Sequence, residues 1–191
     1  MELQTFTTLL EELQRDIYSF CRYLARDPNL ADDLYQETVL QAFANRERID
    51  PNRNPKSLFF AIAIGKWRNL QRKTARRQAI APSTLLDERL PDTLPGSDPQ
   101  AYAEKRSMQE LLQEKIAALD DHLRIPLILF YFDACPQEEI ANIMSLPVGT
   151  VKSRLHRGRE VLREALSLSL ETAADDRAVT YGKGRVDHAS S

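Results

Sequence analysis

The stretch that decides the fold is CPQEEIANIMSLPVGTVKSRLHRGR, residues 135–159. Its apolar positions recur at helical spacing on both sides of a Ser-Leu-Pro turn, and Gly149 or Thr150 is the expected start of the second helix. Pro136 suits the first turn of the first helix, and the acids after it favour the positive end of the helix dipole. The stretch therefore predicts a helix-turn-helix, in which one helix braces and the other lies in the DNA major groove. Its predicted buried set is Ile140, Ile143, Leu146, Val151 and Leu155.

The second helix of this motif is rich in cations. Its early side chains are expected to meet base edges, and these are Thr150, Lys152, Ser153 and His156. Three arginines suit phosphates, or guanine where the geometry allows, and these are Arg154, Arg157 and Arg159. A helical hairpin with a basic solvent face is the alternative, but turn, capping and charge all agree with DNA binding.

The charge of the chain is unevenly distributed. The formal net charge is −2, although nucleic-acid-binding domains are usually basic. Residues 66–77 nevertheless hold six cations and no acid, and residues 152–163 hold five cations against one acid. Two basic stripes on an otherwise acidic chain indicate two nucleic-acid contacts, with weak non-specific binding by the whole protein.

The amino-acid composition narrows the class of protein further. With 191 residues, 42% of them hydrophobic and 28% charged, the chain is typical of a soluble globular protein with one domain or two small ones. No apolar run is long enough to span a bilayer and the N-terminus lacks signal-peptide features, so we expect a cytosolic protein without membrane insertion. The two cysteines and three histidines show no metal-ligand spacing. No phosphate-binding loop or catalytic grouping is present either, which predicts a non-enzyme without metal or cofactor.

The N-terminal half predicts three helices. The first spans roughly residues 3–26 and ends at Asp27-Pro28, after which Asn29 is the expected N-cap of the second. The expected buried stripe of the second helix is Leu30, Leu34, Val39, Leu40 and Phe43. A loop over residues 45–56 precedes a third helix, about residues 58–77, that Ser57 could cap. Its first half is apolar and its second half is basic around Trp67, which is either half-buried or able to stack on an unpaired base.

The C-terminal half begins after a compositional break. Residues 81–101 are rich in proline and acids and predict a flexible linker. Residues 122–132 predict a buried helix with Pro126 tolerated in its first turn. The predicted organisation is all-α, with small helical domains at residues 1–80 and 102–170, the second containing the helix-turn-helix. Residues 171–191 are expected to form a disordered tail.

Three segments in order carry a family resemblance, and they are residues 30–38 (LADDLYQET), 61–69 (AIAIGKWRN) and 147–157 (PVGTVKSRLHR). With them, the chain resembles an extracytoplasmic-function (ECF) sigma factor of the sigma-70 family over about residues 9–166. The resemblance implies a region 2 domain, a linker and a region 4 domain. It also implies transcription initiation with core RNA polymerase, bound at the beta-prime clamp and the beta flap, on promoter DNA, and an anti-sigma factor as a further partner.

The resemblance implies three groups of site residues. Core polymerase would be bound by Asp32, Asp33, Leu34, Gln36 and Glu37. The minus-ten element would be opened and held by Arg46, Arg48, Asn52, Arg53, Lys56, Lys66, Trp67, Arg68, Arg72 and Lys73, with a flipped base in the 45–56 loop. The minus-thirty-five element would be bound by Thr150, Val151, Lys152, Ser153, Arg154, His156, Arg157 and Arg159.

Two departures from the family pattern concern the backbone. Gly65 stands where the family often has Asn, and a glycine inside a helix costs about 1 kcal/mol relative to alanine. Ser145 occupies a turn position where the family often has Gly, so backbone strain is expected there. The alternative function is a helix-turn-helix regulator with an N-terminal effector or dimerisation domain. A helical adaptor without a nucleic-acid role would leave both basic stripes unexplained.

Overall fold

The computed structural model describes the backbone of residues 1–50, 54–80 and 99–183, and their side chains except at 48, 78, 80, 99–107, 109 and 170–183. The described residues form α-helices and one short 3-10 turn, with no strand among them, which confirms the all-α class. The helices are α1 (Leu3–Ala25), α2 (Pro28–Ala44), α3 (Pro55–Ile80), α4 (Pro99–Ala118), α5 (Asp121–Tyr131), α6 (Gln137–Met144) and α7 (Val148–Lys183). The 3-10 turn is Arg46–Arg48.

The chain divides into two compact units. As far as their residues are described, one comprises Met1–Leu94 with Ile125–Lys152, and the other comprises Pro95–Arg124 with Ser153–Ser191. In the first unit α1, α2 and α3 pack on one another, and α6 packs on α3. The domain boundaries expected from the sequence stay a prediction.

A proline sets the junction between α1 and α2. The N-cap of α2 is Asp27, whose carboxylate accepts a hydrogen bond from the backbone N–H of Leu30 at 2.8 Å. Pro28 occupies the first helical turn, where its missing N–H costs no hydrogen bond. The expected cap at Asn29 is therefore wrong, because Asp27 satisfies the orphan donor and Asn29 already lies inside the helix.

The core of the first unit includes aromatic residues of α1 and α3. The rings of Phe20 and Phe60 are buried with their centroids 4.3 Å apart. On α2 the buried residues are Ala31, Leu34, Thr38 and Ala42. The stripe expected from the sequence is wrong at Leu30, Leu40 and Phe43, which are exposed. The inner face instead carries mostly small residues, which let helix backbones approach closely.

The helix α3 begins earlier than expected, at Pro55. The preceding Asn54 has φ 43°, a left-handed conformation that Asn tolerates better than most residues. Lys56 therefore lies in the first helical turn rather than in a loop, and Ser57 donates to a side chain of another helix instead of capping α3. Trp67 is only 5% exposed, so its ring belongs to the core rather than being half-buried.

The expected helix-turn-helix is present as α6, a three-residue turn and α7. Ser145 ends α6 with φ 54° and ψ 51°, and the N–H of Leu146 reaches back to the carbonyl of Ala141 at 2.9 Å. This is a Schellman cap, usually made by glycine, so Ser145 adopts the left-handed conformation in which strain is expected. The second helix starts at Val148 rather than at Gly149 or Thr150, and Pro136 is the N-cap of α6 rather than part of its first turn.

Three further boundaries differ from expectation. The helix α4 starts at Pro99, so residues 99–101 of the expected linker are helical, while residues 81–98 lie outside the described part. Pro126 lies in the interior of α5 rather than in its first turn. The helix α7 continues to Lys183, which corrects the expected disorder over residues 171–183, and residues 184–191 lie outside the described part.

Candidate nucleic-acid interface

A groove between α2 and α3 brings together two of the three residue groups expected from the sequence. From α2 it is lined by Leu30, Asp33, Leu34, Gln36, Glu37 and Leu40, and from α3 by Lys66, Asn69, Leu70, Arg72, Lys73 and Arg76. The α2 side is acidic and apolar, and the α3 side is basic. A protein partner and a nucleic acid could therefore use neighbouring walls of one groove.

An ion pair joins the two walls of the groove. Lys66 Nζ donates to Glu37 Oε2 at 2.7 Å. This hydrogen bond, with the attraction of the same ammonium and of Lys73, lowers the pKa of Glu37 below its ordinary value. Glu37 is thus firmly ionised near neutral pH and holds Lys66 on the groove side of α3.

The face of α2 that lines the groove has a regular composition. Leu30, Asp33, Glu37 and Leu40 follow one another at steps of three and four residues, so they share one face of the helix. Leu40 is 64% exposed and Leu30 is also exposed. On this exposed face two leucines flank two carboxylates, which suits a partner surface that carries apolar and basic groups.

Two other members of the expected core-binding group, Leu34 and Asp32, are placed differently. Leu34 is buried and contributes only the floor of the groove. Asp32 lies on the neighbouring face, where its Oδ1 accepts a hydrogen bond from the hydroxyl of Tyr18 at 2.8 Å. The ring of Tyr18 also packs edge-on against Tyr35, which fixes the direction of the hydroxyl.

The expected minus-ten residues are divided between several environments. Arg68, Arg72 and Lys73 are exposed on α3. Arg46 is half-buried, with its guanidinium 4.7 Å from the centre of the Phe43 ring. Burial of Trp67 contradicts its expected role, because stacking on a base would require the ring to leave the core. Asn52, Arg53 and the side chain of Arg48 lie outside the described residues.

The basic face of α7 is open to solvent. His156 is 75% exposed and Arg157 is 66% exposed, and Lys152 and Arg159 are also exposed. Glu160 lies 3.5 Å from Arg157 and orients its guanidinium. Val151 is fully buried, which contradicts its expected DNA contact and agrees with its place in the predicted core set of the motif. The rest of the expected group lies on the first part of a continuous helix, as major-groove recognition requires.

Three features of the site were missed by the sequence reasoning. Leu30 and Leu40 were expected in the core, although their spacing with Asp33 and Glu37 could have indicated one shared face. Tyr18 carries no sequence signal for its bond to Asp32, because fourteen residues separate the two. The contact of Glu139 with the start of α3, described below, is equally non-local.

Comparison with known proteins agrees with this geometry. The sigma-70 region 2 family model matches residues 9–77, and the sigma-70 region 4 model matches residues 109–162. The ECF RNA polymerase sigma factor SigW of Bacillus subtilis (strain 168) is 30% identical over 171 residues, which cover 84% of this chain and 88% of SigW. SigX of the same organism is 27% identical, with 91% of this chain and 89% of SigX covered.

The chain belongs to the ECF sigma factors of the sigma-70 family. Its function is that of an RNA polymerase sigma factor, and the family consists of transcription initiation factors rather than enzymes. The groove lies in the region 2 match, and the basic face of α7 up to Arg159 lies in the region 4 match.

Solved structures share the fold of this sigma factor. RpoE of Bartonella quintana, in complex with the anti-sigma factor NepR, superposes with a TM-score of 0.73 at 22% identity, covering 86% of this chain and 98% of RpoE. CnrH, in complex with the cytosolic domain of CnrY, superposes with a TM-score of 0.61 at 20% identity, covering 87% and 90%. Among the described residues, we find no cluster of potential metal ligands and no helix long and apolar enough to cross a bilayer.

Proposed function

We propose that this sigma factor contacts core RNA polymerase and promoter DNA through separate surfaces. The exposed face of α2 binds the beta-prime clamp of core RNA polymerase. The basic wall of the groove, with Lys56 and the neighbouring loop, opens and holds the minus-ten element. The first part of α7 binds the minus-thirty-five element, and the region 4 domain contacts the beta flap.

The observation that carries this proposal is the opposite chemistry of the two groove walls. On α2, leucines and carboxylates share one exposed face, which suits a protein surface carrying apolar and basic groups. On α3, exposed cations suit phosphates. The Lys66–Glu37 pair ties the walls together, so polymerase and promoter would meet at adjacent positions.

Paired variants test the division of labour. Asp33→Ala with Glu37→Ala is expected to weaken co-elution with core polymerase first, whereas Lys152→Glu with Arg154→Glu is expected to abolish promoter use while core binding is retained. Glu11→Ala with Glu12→Ala removes two exposed acids of α1 and serves as the charge-matched control for the first pair. Equal loss of both activities in both variants would contradict the proposal.

The same proposal includes an anti-sigma partner and a cytoplasmic location, with no catalytic activity, metal or cofactor of its own. The RpoE and CnrH structures, both complexes with a second protein, support a partner of that kind. Attachment to a membrane through the anti-sigma factor is the alternative to a free cytoplasmic state. Fractionation of the producing cells distinguishes the two, since attachment predicts that the chain leaves the membrane fraction when the anti-sigma factor is removed.

A further inference from the structure

The start of α3 is covered by a segment that lies far along the chain. Glu139, in the first turn of α6, accepts a hydrogen bond from the side-chain amide of Asn54 at 2.5 Å and another from the hydroxyl of Ser57. Just before α6, Asp133 lies 3.6 Å from the ammonium of Lys56. Two of the three carboxylates of this acidic segment, residues 133–139, therefore meet the polar groups at the start of α3.

Neighbouring contacts fix the same arrangement. Lys56 Nζ also lies 2.6 Å from Asp16 Oδ2 of α1 and 5.4 Å from the centre of the Phe60 ring. Next to the acidic segment, the ring of Phe132 packs on Tyr23 of α1 with the ring centres 4.5 Å apart. The contact thus combines hydrogen bonds, an ion pair and an aromatic pair, all between residues of the first compact unit.

The groups covered in this way are suited to hold DNA. Lys56 directly follows the loop expected to hold a flipped base, and amide, hydroxyl and ammonium donors are those that bind phosphate oxygens. Two carboxylates within 4 Å neutralise this ammonium, and a phosphate arriving there would also meet their negative charge. Acidic segment and DNA phosphate therefore compete for the same donors.

We propose that the acidic segment is an internal competitor of promoter DNA, docked on the start of α3 in the free sigma factor and released when the minus-ten element binds. The inference rests on the proposed role of Lys56 in the minus-ten contact. The docked form keeps the free protein from binding DNA unproductively.

The burial of Asp133 makes docking of the acidic segment reversible. Asp133 is 11% exposed, and its burial raises its pKa to about 6 in spite of the neighbouring Lys56. An ionised carboxylate in that position is poorly solvated, and its desolvation opposes docking near neutral pH. The hydrogen bonds of Glu139 favour docking under the same conditions. A contact with this balance can be displaced by a strong polyanion.

The chain carries its own reporter of docking. Cys135 lies on the acidic segment and is 6% exposed, and burial raises the pKa of its thiol to about 12. Cys21 is fully buried inside α1 and its pKa is raised in the same way. Since only the thiolate reacts with iodoacetamide, release of the segment should speed alkylation of Cys135 and leave Cys21 unchanged.

The test compares Glu139→Gln with Glu138→Gln in the full chain. Both remove one negative charge from the first turn of α6, but Glu138 is exposed whereas Glu139 makes the contact. Alkylation is followed by mass spectrometry at both cysteines, and binding of a fluorescein-labelled single-stranded oligonucleotide of mixed sequence is followed by anisotropy.

Glu139→Gln keeps an acceptor oxygen but removes the negative charge that strengthens the two hydrogen bonds. We expect it to speed alkylation of Cys135 and to tighten oligonucleotide binding, each by about fivefold, which corresponds to about 1 kcal/mol. Glu138→Gln should change neither beyond its general charge effect. Ser57→Ala, which weakens the contact from the other side, should also speed alkylation of Cys135, although it removes one of the donors offered to phosphate. Identical behaviour of Glu139→Gln and Glu138→Gln on both readouts would overturn the inference.

The experiments can contradict the docking proposal and the proposed function independently of each other. This experiment uses neither polymerase nor a promoter, so a negative result leaves the proposed sigma-factor contacts standing. Conversely, a chain in which Cys135 is released but which does not bind core polymerase would contradict the proposed function alone.

Discussion

Replacement of Gly65 by alanine is expected to stabilise the protein. Gly65 lies in the interior of α3 on its exposed side, and a Cβ atom built there meets nothing within 4 Å. No packing is lost or gained, so the change isolates the backbone effect. Alanine is favoured over glycine in a helix interior by about 1 kcal/mol, because glycine loses more conformational entropy on folding.

The free energy of unfolding should therefore rise by about 1 kcal/mol, which corresponds to a melting temperature about 2–4 °C higher for a chain of this size. Urea and thermal unfolding followed by circular dichroism measure both quantities. Ala61→Gly, one turn earlier in the same helix, is the reverse control and should lower stability by at least a similar amount. An unchanged or lower stability of Gly65→Ala would refute the reasoning, since α3 could not then be a regular helix through this position.

Two further predictions concern the helix-turn-helix and the acidic segment. Ser145→Gly should raise the free energy of unfolding by about 1 kcal/mol in urea titrations, because the left-handed backbone there favours glycine, and a less stable variant would contradict this. The pKa of Asp133 is raised from 3.8 to about 6, so its contribution to stability is complete below about pH 4 and is lost as the pH rises through about 6. Asp133→Asn should therefore gain on the order of 2 kcal/mol relative to wild type between about pH 4 and pH 7, and parallel stability profiles would contradict this. The charged groups that act on Asp133 are Lys56 and Asp16, and Cys135 is influenced by both Asp133 and Glu139.

Local sequence patterns were sufficient to predict the helix-turn-helix and α1. In the first, proline before α6, a turn of three residues and apolar periodicity on both sides specify the motif without reference to the rest of the chain. In α1, the buried Phe6, Ile17, Phe20 and Leu24 follow the three- and four-residue steps read from the sequence. Such patterns are reliable because the residues that form the pattern are the same residues that form the helix.

The face of α2 could not be assigned by the same reasoning. A leucine at helical spacing is expected in the core, yet Leu30 and Leu40 are exposed and the inner face carries Ala31 and Ala42. Periodicity locates an apolar stripe but does not distinguish burial in the protein's own core from burial by a partner. In the proposed contact with core polymerase the partner supplies the second surface, so the sequence pattern would reflect the complex rather than the free chain.

Contacts between distant segments were equally inaccessible. Glu139 and Asn54 are 85 residues apart, and nothing in either segment specifies the other. Trp67 was expected near DNA because cations surround it, whereas its ring packs inward and only the cations remain exposed. Arg124, which is buried and paired with Asp121, gave no signal at all, since an arginine in an apolar run is usually read as a surface residue.

The central claim is that this chain makes core RNA polymerase start transcription at specific promoters. Run-off transcription with purified core polymerase and a library of genomic fragments tests it most directly. We predict discrete transcripts that require the chain and disappear with Lys152→Glu, Arg154→Glu. Absence of initiation from every fragment, together with failure to co-elute with core polymerase, would contradict the account.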